Sequence, residues 1–141
     1  LSLLSQGEKE MSTATRKRDI KVLMVEDNDI YANFIKEALS VGDRADFEVD
    51  VCARLDEAIP QAKQNEYHVI LLDLGLPDSQ GVDTATSLRE HVKETPVVIL
   101  TGQDDVSLAL EALSRGDAWN YLSKSETNVS KLEMAVYDAA L

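Results

Sequence analysis

At 141 residues, the chain is long enough to bury one core and too short for two. Hydrophobic residues at 44% and charged residues at 28% exclude a disordered tail and a membrane protein. No stretch approaches the roughly 20 apolar residues of a membrane helix, and the start lacks the apolar core of a secretory signal. The formal net charge of -12 falls almost wholly from residue 20 onward, so no nucleic acid and no membrane is expected as a partner. A divalent cation or a basic protein face suits such a body, against the commoner reading of a solvated acidic surface.

Residues 1–18 are polar and mixed, with a possible start at Met11. They read as a flexible extension or tag remnant ahead of one domain over 19–141. Residues 20–25 are nearly continuous in apolar, branched side chains, as in a parallel strand buried on both faces. Asn28 or Asp29 then caps a helix with the stripe Tyr31, Phe34, Ile35 and Ala38, which Gly42 ends. In residues 47–52, Phe47, Val49 and Val51 alternate with Glu48 and Asp50, the pattern of an edge strand. Cys52 is the only cysteine; it forms no internal disulfide or metal cluster, fits the reducing cytoplasm and is expected in the core.

The helix over 56–65 is expected to be short or bent, because Pro60 removes a backbone donor. Buried strands follow at 69–72 and 97–100, separated by a helix carrying Val82, Ala85 and Leu88. Val106, Leu110 and Leu113 mark the next helix, with Gly116 just past its end. Residues 120–122 form a last brief strand, and Val129, Leu132 and Val136 a last helix. Right-handed crossovers fold five such strand-helix units into an α/β, doubly wound, five-stranded parallel sheet with helices on both faces.

Ligands of such a sheet bind beyond the carboxyl ends of its strands, and every end here is polar. The first strand ends in Glu26 and Asp27, the third in Asp73, the fourth in Thr101, and the fifth runs into Ser123 and Lys124. Carboxylates gathered this closely repel unless something positive joins them. Magnesium, a hard cation held by one or two carboxylates and a phosphate oxygen, fits that need. With the metal, Lys124 and the Thr101 hydroxyl to hold phosphoryl oxygens, Asp73 can attack in line as a carboxylate nucleophile. Each residue also has a plainer reading. Glu26, Asp27 and Asp29 favour a helix start, Asp73 precedes a turn at Leu76, Pro77 and Asp78, and Thr101 and Lys124 suit a strand and a surface. The five together, at the ends of four strands, favour the chemical reading.

In VLMVEDN at 22–28, VILLDLGLPDSQG at 69–81, VVILTG at 97–102 and YLSK at 121–124, the chain resembles the bacterial response-regulator receivers of two-component signalling, over 19–141. The resemblance implies a flavodoxin-like strand order of 2-1-3-4-5. It implies Asp73 as phosphoacceptor for a histidine kinase or phosphotransfer protein, in a signalling domain rather than an enzyme. It also implies Asp27 as a direct magnesium ligand, Glu26 as a water-mediated one, and the Gly75 carbonyl as a further ligand. Thr101 and Lys124 become phosphoryl contacts, and Tyr121 the aromatic that switches with Thr101; read without the family, Tyr121 is a core or edge-strand residue. The fourth helix, last strand and fifth helix would form the surface for a partner or a second copy. Motif wording similar to receivers attached to larger signalling proteins suggests an output domain in a longer parent chain.

The family lysine usually precedes a proline in a cis peptide, whereas Ser125 follows Lys124. Because cis costs about 2.5–4 kcal/mol before a non-proline residue, a trans Lys124–Ser125 linkage is expected. A phosphohydrolase with an aspartate nucleophile is the competing enzyme class, but it wants a second aspartate where Gly75 stands. A nucleotide or flavin binder wants a glycine-rich loop where VEDND stands. A scaffold that has lost its chemistry would not keep the full residue set. His68 and His91 are expected as surface or capping residues.

Overall fold

A computed structural model describes residues 17–141; all but the last two residues of the expected N-terminal extension lie outside the described residues. The elements run β1 (Arg18–Val25), α1 (Asp29–Ser40), β2 (Ala45–Cys52), α2 (Leu55–Gln64), β3 (Val69–Asp73), α3 (Val82–His91), β4 (Val97–Thr101), α4 (Val106–Ser114), β5 (Asn120–Ser123) and α5 (Val129–Ala140). The five strands pair in parallel in the order β2-β1-β3-β4-β5. This is the expected receiver-like, flavodoxin-like sheet. No helix among the described residues is long and apolar enough to cross a membrane.

Successive strand residues point to opposite faces, which divides the core in two. Leu23, Val25, Ile70, Leu72, Val97 and Ile99 pack with Leu55, Ala58, Ala85, Leu88, Ala109 and Ala112 of α2, α3 and α4. Ile20, Val22, Met24, Val69, Leu71, Val98 and Leu100 face Ala32, Ile35, Leu39, Leu132 and Val136 of α1 and α5. The central strands are covered on both sides, which is why their sequences are apolar without alternation.

The edges depart from the sequence reading in instructive ways. β2 is an edge strand, and Phe47 and Val49 lean on the α1/α5 core. Val51 is 39% exposed and Cys52 only half-buried, since an edge strand has a neighbour on one side only. In α4 the buried residues are Ala109 and Ala112 while Leu110 is 51% exposed. Small side chains bring that helix against the sheet and turn the bulky one outward. Phe34 of α1 is likewise exposed. Pro60 lies inside α2 on its exposed side, and the helix runs unbroken for 10 residues; Asp56, four positions earlier, whose carbonyl loses its N–H partner, is an exposed residue.

Two glycines fill different needs. Gly116 has φ 79° just past α4, where the Gly116 N–H bonds to the Leu113 carbonyl and the Asp117 N–H to that of Ala112, a paired helix stop requiring a left-handed residue. Gly42 has no positive φ. A Cβ there would run into the Glu133 carboxylate, which is buried on α5 and accepts the Arg44 N–H at 2.7 Å.

The loop after β3 carries part of the candidate site and is fixed at several points. Gly75–Leu76 and Ser79–Gln80 pair as a short antiparallel hairpin, with Leu76 buried. The Ser79 and Thr84 hydroxyls lie 2.7 Å apart and tie the loop to α3. Asp78 reaches across to α2 and accepts the N–H groups of Leu55 and Asp56, both at 2.9 Å. It thus caps that helix from 22 residues away, because Arg54, at the local cap position, supplies no capping bond. Burial pushes the Asp78 carboxyl up, but the backbone N–H groups and Arg54 outweigh it and hold it below its usual range. A carboxyl lowered in the folded state adds stability above its unfolded value, and loses it as pH falls through the folded one. Asp78→Ala is therefore expected to cost about 1 kcal/mol in urea unfolding at pH 7, by the worth of a lost helix cap. That difference shrinks in acid.

Candidate functional site

Parallel pairing places the carboxyl ends of β1, β3, β4 and β5 along one edge, and the polar residues that follow each strand meet there. Glu26, directly after β1, is buried to 1% exposure; its N–H bonds to the Cys52 carbonyl at 2.8 Å. Asp73 ends β3, half-buried, and its Oδ1 accepts the Gly75 N–H at 3.0 Å. Asp27 is exposed, and one carboxylate oxygen from each of Glu26, Asp27 and Asp73 lies within 4.8 Å of the others. Three acidic oxygens at that spacing can share one cation.

Lys124 closes the group from the opposite side. Its Nζ donates to Asp73 Oδ2 at 3.1 Å and to Glu26 Oε1. The residue is placed by its own backbone, whose N–H bonds to the Thr101 carbonyl at 2.8 Å and so prolongs the β4–β5 register. No described peptide bond is cis, so Lys124–Ser125 is trans, as Ser125 in place of proline led us to expect. The turn beyond is held by the Ser123 and Ser125 hydroxyls, 3.1 Å apart, and by N–H groups of Glu126 and Thr127 on the Ser123 carbonyl.

Burial, together with the hydrogen-bonded carboxylate of Asp73, pushes Glu26 up to about 7; Lys124 and the Asn28 N–H oppose that rise. Burial would lower Lys124, but Glu26 and Asp73 more than reverse it and hold the ammonium above its usual range. The lysine is therefore charged at neutral pH and serves as the fixed cation between two acids.

Thr101 is buried at the end of β4, and its Oγ1 donates to the Leu122 carbonyl at 3.4 Å. The structure thus brings Glu26, Asp27, Asp73 and Lys124 into contact range, while the Thr101 hydroxyl points to β5. Tyr121 is half-buried on β5 and packs against the core shared with α2, α3 and α4. Gly75 is exposed beside Asp73, and a Cβ there would meet Asp73 Oδ1 only at 3.8 Å, an ordinary contact. Of the histidines, His68 accepts the Lys21 N–H through Nδ1 at 2.9 Å, and His91 Nδ1 lies 2.9 Å from the Ser87 carbonyl. Both are remote from the site in role, as expected.

Two contributors escape the strand-end reading. Asn28 caps α1 by accepting the Tyr31 N–H at 3.1 Å, and its own N–H donates to Glu26 Oε2 at 3.2 Å. Tyr31 presents its ring to Lys124, with Nζ 4.7 Å from the ring centre. The cap was visible in the sequence; the ring contact was not, since Tyr31 counted there only as part of an apolar stripe.

A carboxyl raised in the folded state binds its proton more tightly than the unfolded chain does, so folding loses stability as pH rises between the two values. In chelator, the unfolding free energy should therefore fall from about pH 4.5 to about 7 by the Glu26 contribution. Glu26→Gln is expected to flatten that slope in urea titrations run across the same range.

Comparison with known proteins agrees with this geometry. The family model described as "Response regulator receiver domain" matches residues 22–136. The transcriptional regulatory protein SrrA of Staphylococcus aureus is 36% identical over 104 residues, a match spanning 74% of this chain and 41% of the relative. A putative response regulator from Chloroflexus aurantiacus superposes with TM-score 0.76 at 26% identity, covering 87% of this chain and 98% of that one. An adenylate cyclase structure from Rhodopirellula baltica gives TM-score 0.75 at 27% identity, covering 86% and 87%. With a relative named as a transcriptional regulator, the expectation that no nucleic acid is among the partners finds no support. The family match and the fold agree over nearly all of the described residues, and the chain belongs to the response regulator receiver domains of two-component signalling.

Proposed function

We propose that this receiver accepts a phosphoryl group on Asp73 from a histidine kinase or phosphotransfer protein, with magnesium, and that Thr101 and Tyr121 pass the change to a partner surface. The observation that carries the reading is the placement of the Lys124 ammonium 3.1 Å from Asp73, beside acidic oxygens of Glu26, Asp27 and Asp73 within 4.8 Å of one another.

Glu26, Asp27, Asp73 and the Gly75 carbonyl are the groups that would hold the ion. The donor set suits it: all oxygen, with Glu26 pushed up by burial and by the neighbouring Asp73 carboxylate and in need of positive charge. Bound there, magnesium would neutralise charge on the phosphoryl oxygens. Asp73 supplies the nucleophile. One of its carboxylate oxygens bonds to phosphorus as the phosphorus–nitrogen bond of the donor phosphohistidine breaks, and the imidazole leaves with the electron pair. Lys124, already paired with Asp73, follows the negative charge outward onto the phosphoryl oxygens. The Thr101 hydroxyl has to leave the Leu122 carbonyl to reach the same group, which releases a bond beside Tyr121. Switching at Tyr121 then follows from the exchange of one acceptor for a stronger, charged one.

A signalling role without enzyme turnover, a cytoplasmic setting consistent with a single free cysteine, an output domain in a longer parent chain and possible self-association belong to the same proposal. The match to less than half of SrrA supports the parent chain.

Incubation with magnesium and acetyl phosphate should add about 80 Da by intact-mass measurement, and Asp73→Asn or chelation of magnesium should abolish the adduct. Continuous release of product from an added phosphoester, without a trapped adduct, would instead favour a hydrolase. Thr101→Ala is expected to keep the adduct and lose the phosphorylation-dependent shift of the Tyr121 resonances in NMR spectra.

A further inference from the structure

Besides its two carboxylate partners, the Lys124 ammonium meets an aromatic ring. Its Nζ stands 4.7 Å from the centre of Tyr31, inside the range in which a ring face attracts an ammonium. Two of the three ammonium donors are directed at Glu26 and Asp73, and the Tyr31 ring bounds the cation elsewhere.

The backbone that carries this ring is itself tied to the acidic cluster. The Asn28 N–H holds Glu26 Oε2, the Asn28 side chain holds the Tyr31 N–H, the Tyr31 ring faces Lys124, and Lys124 returns to Glu26. Six consecutive positions, Glu26 to Tyr31, thus bring one acid and one ring to the same ammonium. The Tyr31 hydroxyl, by contrast, is buried and has no hydrogen-bond partner among the described residues. A buried hydroxyl without a partner is unfavourable, so the hydroxyl is not what fastens the side chain there. Phe34 braces the ring from the next turn, with centroids 5.9 Å apart.

We propose that Tyr31 is a positioning residue of the phosphoacceptor site, whose ring face keeps the Lys124 ammonium over Asp73 in place of the solvent-extended positions open to a long lysine side chain. The role rests on the receiver reading above. Without the ring, the lysine keeps its carboxylate partners until Asp73 is modified, and at that moment has less to hold it near the new phosphoryl oxygens.

The test uses the 141-residue chain with magnesium and acetyl phosphate, a donor too small to depend on a protein docking face. Tyr31→Leu is expected to slow adduct formation roughly fivefold or more at saturating magnesium, the range of a lost cation–π contact. Tyr31→Phe restores most of that rate, because the ring face remains. An equal loss in both variants would assign the effect to the hydroxyl, and no loss in Tyr31→Leu would assign the ring no part; either result overturns the proposal. A second measurement does not depend on how well Tyr31→Leu folds. In protein labelled at lysine Cε, the Lys124 signal, identified by its disappearance in Lys124→Arg, should lie upfield of the other lysines in the unmutated chain and in Tyr31→Phe. A Lys124 signal among the bulk lysines overturns the contact. Failure of the unmutated chain to form the Asp73 adduct, with the upfield signal present, overturns the receiver reading and the role derived from it, and is distinguishable from failure of the contact itself.

Discussion

The Lys124 ammonium between Glu26 and Asp73 is the interaction around which the functional edge of this protein is arranged. Two carboxylates at about 4 Å repel by about 1 kcal/mol in water and about 4 at the effective dielectric of a protein surface. Asp27 adds a third negative group within reach of both. One lysine offsets part of that repulsion and leaves a net negative pocket whose oxygens could hold a metal ion. Three features of the edge bring the lysine there: the β4–β5 register, the Lys124 N–H on the Thr101 carbonyl, and the serine-braced turn.

That turn also shows how a receiver site can be met without a proline after the lysine. The linkage is trans, and the geometry is carried by hydrogen bonds from the backbone and two hydroxyls instead of by a fixed ring. The same substitution of means appears at α2, where the helix start lacks a local cap and Asp78 supplies one from the loop that also bears Gly75. The segment after Asp73 is consequently anchored at three points, by Leu76 in the core, Ser79 at α3 and Asp78 at α2.

How much of this the sequence could carry depended on the range of the interactions. Strand identity and order were legible, since central strands covered on both faces write themselves as unbroken apolar runs, and the polar residue ending each run marks the ligand edge. Glu26, Asp27, Asp73 and Lys124 were legible for that reason. Helix faces were read less well. Leu110 and Phe34 keep the spacing of core residues yet lie outside, because periodicity reports which residues share a face without saying which face is covered. Nothing in the sequence pattern marks Glu133 as buried; it is the approach of Gly42 and Arg44 that covers it. The Tyr31–Lys124 and Asp78–α2 contacts join distant segments, and no local pattern announces them.

The lysine that completes the cluster lies 98 positions beyond the glutamate it pairs with. During vectorial synthesis, β1 and β3 can bring Glu26 and Asp73 together while β5 is still unmade or held in the ribosomal tunnel. Residues 120–124 therefore close a site whose acidic members precede Lys124 by 51 positions or more, and a chain cut before them would lack the ammonium that pairs Glu26 with Asp73.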